Sequence, residues 1–431
     1  MTQGPKLQIA VAGAGIAGLT TAIALKQHPN IDVQIYERAS KLQEIGASIA
    51  LGPNGLRTLE RLGIDNALDD SIAFRNKSGR PMIYRHYKTN KVISIDSHQG
   101  EVEYRHQTSR FYRAHLQQAL LEHVDPTHIH LEKAFHSVTQ DQSTKKLHIS
   151  FTDGTQAKAD ILLGSDGINS AVRRFFVPAS GTKWTGSVAF RSVFPLSHVD
   201  HIKDLPDEAN FFWGPDRPLF LSRLGKDTFT VAGFHQVDPN DPNAPYKDKT
   251  WNSDGDVNIL REYYKDWSPL IRSIIDAIPY TRVYPNVAAE GLDTWVHGNG
   301  RVTFAGDAAH AHGGAFAAGG SLAIDDAWAF ATSILHVFPP TATKLPSDDD
   351  VSKALRLYER TRKAHTDRVL FTVHSGNKSN IARVGKRESE EELLARMKNR
   401  HDPTWIHEHD VVATFQQALS EEPLYKPQAR L

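Results

Sequence analysis

The sequence predicts an α/β fold: a three-layer domain built on a parallel sheet, a mostly antiparallel β-sheet inserted into it, and a helical C-terminal region. Three observations predict it. Apolar runs end in glycine turns that open helices at three separate places, residues 6–25, 159–173 and 301–338. Strand-like alternation dominates residues 72–104 and 184–285. From about residue 350 to about residue 394 the text is helical.

The first of these places is the fullest. Lys6-Leu7-Gln8-Ile9-Ala10-Val11-Ala12 alternates and then turns apolar, as a short buried strand does. Gly13-Ala14-Gly15-Ile16-Ala17-Gly18 follows at once, then a helix over 19–25, then a second strand, Val33-Gln34-Ile35-Tyr36, ending on Glu37. Gly13 permits a tight turn, Gly15 lets backbone approach a pyrophosphate, and Gly18 lets the helix pack close on the strand. The free N–H groups and dipole of the helix face the phosphates. Glu37 follows Gly18 by roughly twenty positions, where a ribose-binding carboxylate is expected. The pattern alone is weak and also suits an ordinary strand-to-helix turn. In this strand–turn–helix–strand–acid context it points to a Rossmann-like dinucleotide site.

The remaining elements follow in order. Residues 45–55 form a glycine-rich apolar loop ending in Pro53-Asn54-Gly55, before a helix over 56–62. Such a loop suits a flat ring, or plain connecting structure. Residues 72–104 read as part of a sheet in a second domain. Arg110-Phe111-Tyr112-Arg113-Ala114-His115-Leu116 opens a helix to about residue 124. Its two arginines suit a phosphate or ribose, or a solvated helix face. Strands over 129–135, 137–139 and 147–151 make a small meander, with Asp153-Gly154 as a turn. Residues 159–173 repeat the strand, glycine turn and helix around Asp166-Gly167. Strands over 188–193, 211–213, 220–222 and 228–232 follow, interrupted by a loop at 238–245 and a helix over 257–267. The strand 301–305 ends in Gly306-Asp307-Ala308-Ala309-His310, a small-residue loop runs to Gly320, and a helix covers 321–338. His401, His407 and His409 lack a metal-ligand spacing, so they read as a solvated tail and no metal site is expected.

Composition excludes several classes. The 431 residues carry 50 Lys plus Arg against 50 Asp plus Glu, so no long-range field points to nucleic acid or an anionic membrane. No apolar run approaches the roughly 20 residues of a membrane span. The first apolar run is a glycine-interrupted strand, unlike a signal peptide. The absence of cysteine excludes disulfides, thiolate nucleophiles and cysteine metal sites. The expectation is a cytoplasmic protein, monomer or homodimer, without nucleic-acid partner or integral membrane association.

The turns at Gly13, Asp166-Gly167 and Gly306-Asp307, in this order, resemble the FAD-dependent aromatic monooxygenases related to para-hydroxybenzoate and salicylate hydroxylases. The resemblance runs from residue 8 to about residue 362. It implies FAD on Gly13, Gly15 and Gly18, with Glu37 on the ribose and Arg38, Gly46 and Ala47 nearby. Arg113 in Tyr-Arg-Ala-His-Leu matches the arginine that contacts FAD. Asp166 and Gly167 match a motif serving both FAD and the nicotinamide cofactor, and Arg173 closes it. Asp307 matches the aspartate on the FAD ribitol or pyrophosphate, and the backbone of Gly319 and Gly320 would approach the flavin ring. It implies an FAD-binding domain over 1–71, 105–180 and 286–380, a substrate domain over 72–104 and 181–285, and a C-terminal helical tail over 381–431. Where the family often has proline and a later glycine, this chain has Gly314 and Ala317. His312 to Gly320 looks like a fungal branch acting on resorcinol-type polyketide phenols. No second glycine fingerprint follows a strand, so NADPH or NADH would bind transiently over the flavin.

The resemblance implies reduction of FAD by NAD(P)H, capture of O2 as a C4a-hydroperoxyflavin, and attack by an electron-rich phenolate, with hydroxylation or oxidative dearomatisation. Arg191, in Val188-Ala189-Phe190-Arg191-Ser192, sits on an apolar strand where a charge needs a partner. In the resembling branch an arginine here holds the phenolate; a structural ion pair or an exposed strand face is the other reading. Phe234 and His235 stand near where some members carry a phenol-holding tyrosine, so the hydroxyl would come from Tyr104 or Tyr112, or the donor would be His235. The alternatives are decarboxylating hydroxylation of an aromatic acid, epoxidation of an alkene, and a flavin-binding redox regulator without a productive substrate.

Overall fold

The computed structural model describes residues 5–42, 47–386 and 388–421. Its first sheet is parallel, with strands in the order Val302–Phe304, Ile161–Gly164, Leu7–Ala12, Ile31–Tyr36 and Ile129–His130. Leu7–Ala12 is central and almost wholly apolar because both of its faces are covered. Helices Ile16–Leu25 and Gly319–Val337 pack against each other on one side of this sheet. The antiparallel meander Phe135–Gln140, Leu147–Phe151 and Gln156–Ala159 adds the third layer. The α/β, three-layer expectation holds.

The second sheet has eight strands. Their order is Ser253–Gly255, Thr281–Ala289, Thr182–Pro195, Thr228–Gln236, Pro218–Leu224, Asn210–Trp213, Ile83–His86 and Val92–Ile95. All neighbours are antiparallel except Asn210–Trp213 beside Ile83–His86. One face buries Phe190, Phe212, Leu219, Phe229 and Val231 against helices Val257–Tyr263 and Pro269–Asp276. The second of those helices starts on Pro269 behind the Ser268 cap and buries Ile271, Ile274 and Ile275 at helical spacing. The other face of the sheet is left for the site.

Two expectations are corrected. Arg110 does not open a helix: Ser109–Tyr112 is a strand between Ser48–Leu51 and Phe74–Arg75, and the helix Arg113–Leu121 begins after it. β-Branched and aromatic neighbours and a pairing partner outweigh the helical reading of that short stretch. The C-terminal region is helical, with Glu390–Lys398, Thr404–His407 and Val411–Ser420, but it is not a solvated tail. Arg400 donates to Ser94 Oγ at 3.0 Å and pairs with Asp96. Glu408 accepts from His98 Nδ1 at 2.8 Å. The tail thereby clamps the Ile83–His86 and Val92–Ile95 edge of the second sheet. No described helix is long and apolar enough to cross a membrane.

Candidate active site

The two sheets enclose one continuous cleft of about 1900 Å³. Its first wall is backbone. Gly13 has φ +104°, and a Cβ there would stand 2.5 Å from the Ser165 carbonyl oxygen. A Cβ on Gly18 would come within 2.1 Å of the Gly13 carbonyl oxygen. Gly15 instead faces open space and lines the cleft at the start of helix Ile16–Leu25, which has no acidic residue in its first turn. Gly167, Asp307, Gly319, Gly320, Ala47, Arg38 and Arg113 line the same cleft. Arg113 is anchored by its own N–H, which donates to the Ala47 carbonyl at 3.0 Å. This cradle of exposed helix N-termini, small residues and two arginines fits a dinucleotide cofactor with a flat ring.

The other assigned residues sit behind that wall. Glu37 accepts the Ala14 and Ala39 N–H groups, each at 2.8 Å, and so ties the second strand to the glycine turn. Asp166 does not face the cleft: its carboxylate accepts Ala171 N–H at 2.7 Å and the Ser170 hydroxyl, capping helix Ala171–Phe176. Arg173 is buried behind the same wall. Its guanidinium donates to the carbonyls of Ile168 and Ala308 at 3.1 and 3.2 Å, joining the Asp166 and Asp307 loops. Gly46 lies outside the described residues.

The second wall is built of side chains. Tyr84, Phe211, Trp213, Phe220 and Phe234 line it. The Arg191 guanidinium lies over the Tyr284 ring, 5.1 Å from its centroid, and its Nη2 is 3.1 Å from where a Gly314 Cβ would stand. No described carboxylate pairs with it. Burial pushes its pKa below the ordinary value, with Tyr284 opposing. His235 stacks on Tyr263 at 4.6 Å, and burial followed by Arg217 brings its pKa down to about 4. The Phe234 N–H donates to the buried Tyr264 hydroxyl at 3.0 Å, which fixes that strand end. Neither proposed tyrosine is in the cleft. Tyr104 is 57 % exposed and donates to Asp70, while Tyr112 packs edge-on against His115. The strand and turn there aim both hydroxyls away from the cleft.

Several residues escaped the sequence reading. His312 is buried in the cleft wall with both ring nitrogens unpartnered, and burial lowers its pKa to about 4. His407 comes from the tail, and its ring stands 2.8 Å from a Cβ placed on Gly52. Behind the Asp307 turn, Asp326 accepts from Gly306 N–H at 2.8 Å, His310 Nε2 at 2.6 Å and Arg362 Nε at 2.8 Å. Burial alone would raise the Asp326 carboxyl; His310 and Arg362 outweigh it and hold it down to about 2. The available signal was Asp325-Asp326 inside an apolar helix. At the departure from the family pattern, Phe316 and Ala317 adopt φ +56° and +53°, a left-handed pair without glycine.

Residues 6–206 match the family described as FAD binding domain. The chain is 28 % identical over 379 residues to 6-hydroxynicotinate 3-monooxygenase of Bordetella bronchiseptica, covering 86 % of this chain and 91 % of that protein. It is 27 % identical over 425 residues to salicylate hydroxylase of Pseudomonas putida, covering 94 % and 93 %. The solved structure of CtdE in complex with FAD and substrate 4 shares the fold at TM-score 0.76 and 21 % identity, covering 97 % of this chain and 98 % of that one.

Proposed function

We propose that this chain, an FAD-dependent aromatic monooxygenase, hydroxylates an electron-rich phenol of the resorcinol type with NAD(P)H and O2. Oxygen transfer to a substituted ring carbon would dearomatise the product. Residues 1–71, 105–180 and 286–380 form the cofactor half in this reading, and 72–104 with 181–285 the substrate half. The observation that supports it is Arg191, a guanidinium without a described carboxylate partner, set in an aromatic-walled chamber continuous with the glycine cradle.

FAD, when bound, supplies the redox chemistry that links NAD(P)H oxidation to O2. The chain does the rest. Phe211, Phe220 and Phe234 take the face and edges of the substrate ring. The fixed Arg191 cation lowers the pKa of a phenol held against it, so the phenolate is the bound form. A phenolate donates more electron density to the ring carbon that receives oxygen. His312, neutral near pH 7 because burial depresses its pKa, leaves an open ring nitrogen that can hydrogen-bond the bound substrate without adding charge. The tail and the aromatic wall exclude water from the reacting carbon.

The test is NAD(P)H consumption by the purified flavoprotein against orcinol, resorcylaldehydes and salicylate, with mass spectrometry of products. Stimulation by a resorcinol with gain of one oxygen is the expected result. Oxidation of NAD(P)H that no phenol accelerates, with peroxide as the only product, would overturn it. Stimulation by salicylate alone, with release of CO2, would replace it by the decarboxylating reaction.

A further inference from the structure

The cleft wall holds a buried cation that the reading above does not use. Arg110 lies on the strand Ser109–Tyr112, is 3 % exposed, and lines the cleft. Its Nη2 donates to the Pro81 carbonyl, and its guanidinium lies 5.9 Å from the centre of the Phe220 ring. Its Nε and Nη1 are buried with no hydrogen-bond partner. The acid closest in chemistry, Asp96, is already engaged by Arg400 from the tail and by the Tyr84 hydroxyl. A buried guanidinium with two unsatisfied N–H edges is costly unless an anion completes it. Burial has brought its pKa down to about 10, with Tyr84, Asp96 and Glu208 opposing from a distance.

We propose that Arg110 is an oxyanion subsite of the substrate chamber, donating from its open Nη1 to one oxygen of a carboxylate carried by the aromatic substrate on a different part of the ring from the phenol at Arg191. A hydrogen bond from a guanidinium N–H to a carboxylate oxygen is charge-assisted and about twice as strong as a neutral one, while Nη2 stays on the Pro81 carbonyl and fixes the group. The two cations have different surroundings: Arg191 lies over Tyr284 beside Gly314, whereas Arg110 lies among Pro81, Tyr84 and Phe220. The tail shapes the subsite, because Arg400 pairs with Asp96, and no described carboxylate hydrogen-bonds Arg110. Arg110 is a specificity residue here: it selects which phenols enter and does not touch the reacting carbon. The inference rests on the aromatic-substrate reading above.

The test is calorimetric titration of the FAD-containing protein, without NAD(P)H, with a matched pair, 2,4-dihydroxybenzoate and resorcinol. Wild type should bind the carboxylate compound more tightly. Arg110→Gln should weaken 2,4-dihydroxybenzoate by roughly thirtyfold and resorcinol by less than about threefold, as loss of a charge-assisted hydrogen bond predicts. Arg110→Lys keeps the charge but moves it away from the Nη1 position and drops the Pro81 anchor, and should give a selective loss of roughly tenfold; it carries the test if the Gln variant fails to retain FAD. Equal losses for both ligands, no loss for either, or a wild type that binds the carboxylate compound no better than resorcinol would overturn the subsite. Selective binding without phenol-stimulated NAD(P)H oxidation would leave the subsite standing and sink only the proposed reaction.

Discussion

One side of the cleft is made of backbone and the other of long charged and aromatic side chains. On the glycine side, Gly13, Gly15 and Gly18 bring backbone to the cleft or to close helix–strand packing, and the turn they form lies within six residues of chain. On the aromatic side, Arg110, Arg191, Tyr84 and His407 converge from strands and a tail helix hundreds of positions apart. At Gly13 and Gly18 the glycine side tolerates no added atom, because the neighbouring backbone already touches them. The aromatic side carries unsatisfied nitrogen atoms and buried charge, so its cost is offset only when a ligand of the right charge arrives. A cofactor that stays can rest on rigid backbone, while a substrate that comes and goes is sorted by polar groups left open for it.

The comparison can be broken at its strongest point. Gly18→Val drives side-chain atoms into the Gly13 carbonyl and should cost more than about 4 kcal/mol, giving a colourless, poorly folded protein by flavin absorbance and thermal melting. A yellow variant with an unchanged melting point would mean that the close packing does not matter. Next in size, Arg362→Met leaves Asp326 charged beside an unpaired gap. It should lower stability by about 3–5 kcal/mol in urea unfolding, with weaker FAD retention because Asp326 holds the Gly306 N–H.

On the aromatic side the effects should fall on ligand rather than fold. Arg191→Ala should reduce phenol-stimulated NAD(P)H oxidation by roughly a hundredfold, about the value of one charge-assisted contact, while flavin content stays the same. Loss of flavin together with activity would move Arg191 to the structural side of the comparison.

The tail gives a pH signature. His365 and His409 stack at 3.8 Å, and burial, reinforced by neighbouring cations, depresses their pKa values to about 2 and about 4. Unfolded histidines titrate near about 6.5. The unfolded chain therefore binds more protons below that pH, and stability present above about 6.5 is lost as pH falls toward 4. His409→Phe should shrink the drop in melting temperature between pH 7.5 and pH 5; an unchanged drop would clear this pair of responsibility. The smallest expected effect is Ala317→Gly. Relief of the left-handed conformation should stabilise by about 1 kcal/mol or less, measured by thermal melting.

The regions differed in how legible they were. Every strand-to-glycine-turn-to-helix unit could be read directly, since an apolar run and a glycine a few positions later act on each other locally. Arg110 was misplaced because a four-residue strand has too little text to reveal its period, and its partners Ser48–Leu51 and Phe74–Arg75 are remote. The sequence offers Tyr104 and Tyr112 as hydroxyl sources, but side-chain direction at a short strand and turn is not legible in it. The histidines of the tail were dismissed because their spacing matched no ligand set, yet His407 reaches the cleft through packing against Gly52.

The sequence by itself determined the α/β class, the position of the glycine cradle and the residues forming its turns. These depend on periodicity and on backbone conformations available to glycine alone, both properties of neighbouring residues. Only the tertiary structure decided which cations face the chamber, that Asp166 and Arg173 brace the loops rather than line the cleft, and that the tail forms part of the wall. Those outcomes depend on contacts between residues far apart in the chain, where closing the intervening loops and packing two sheets together select the partner, and no local pattern records the choice.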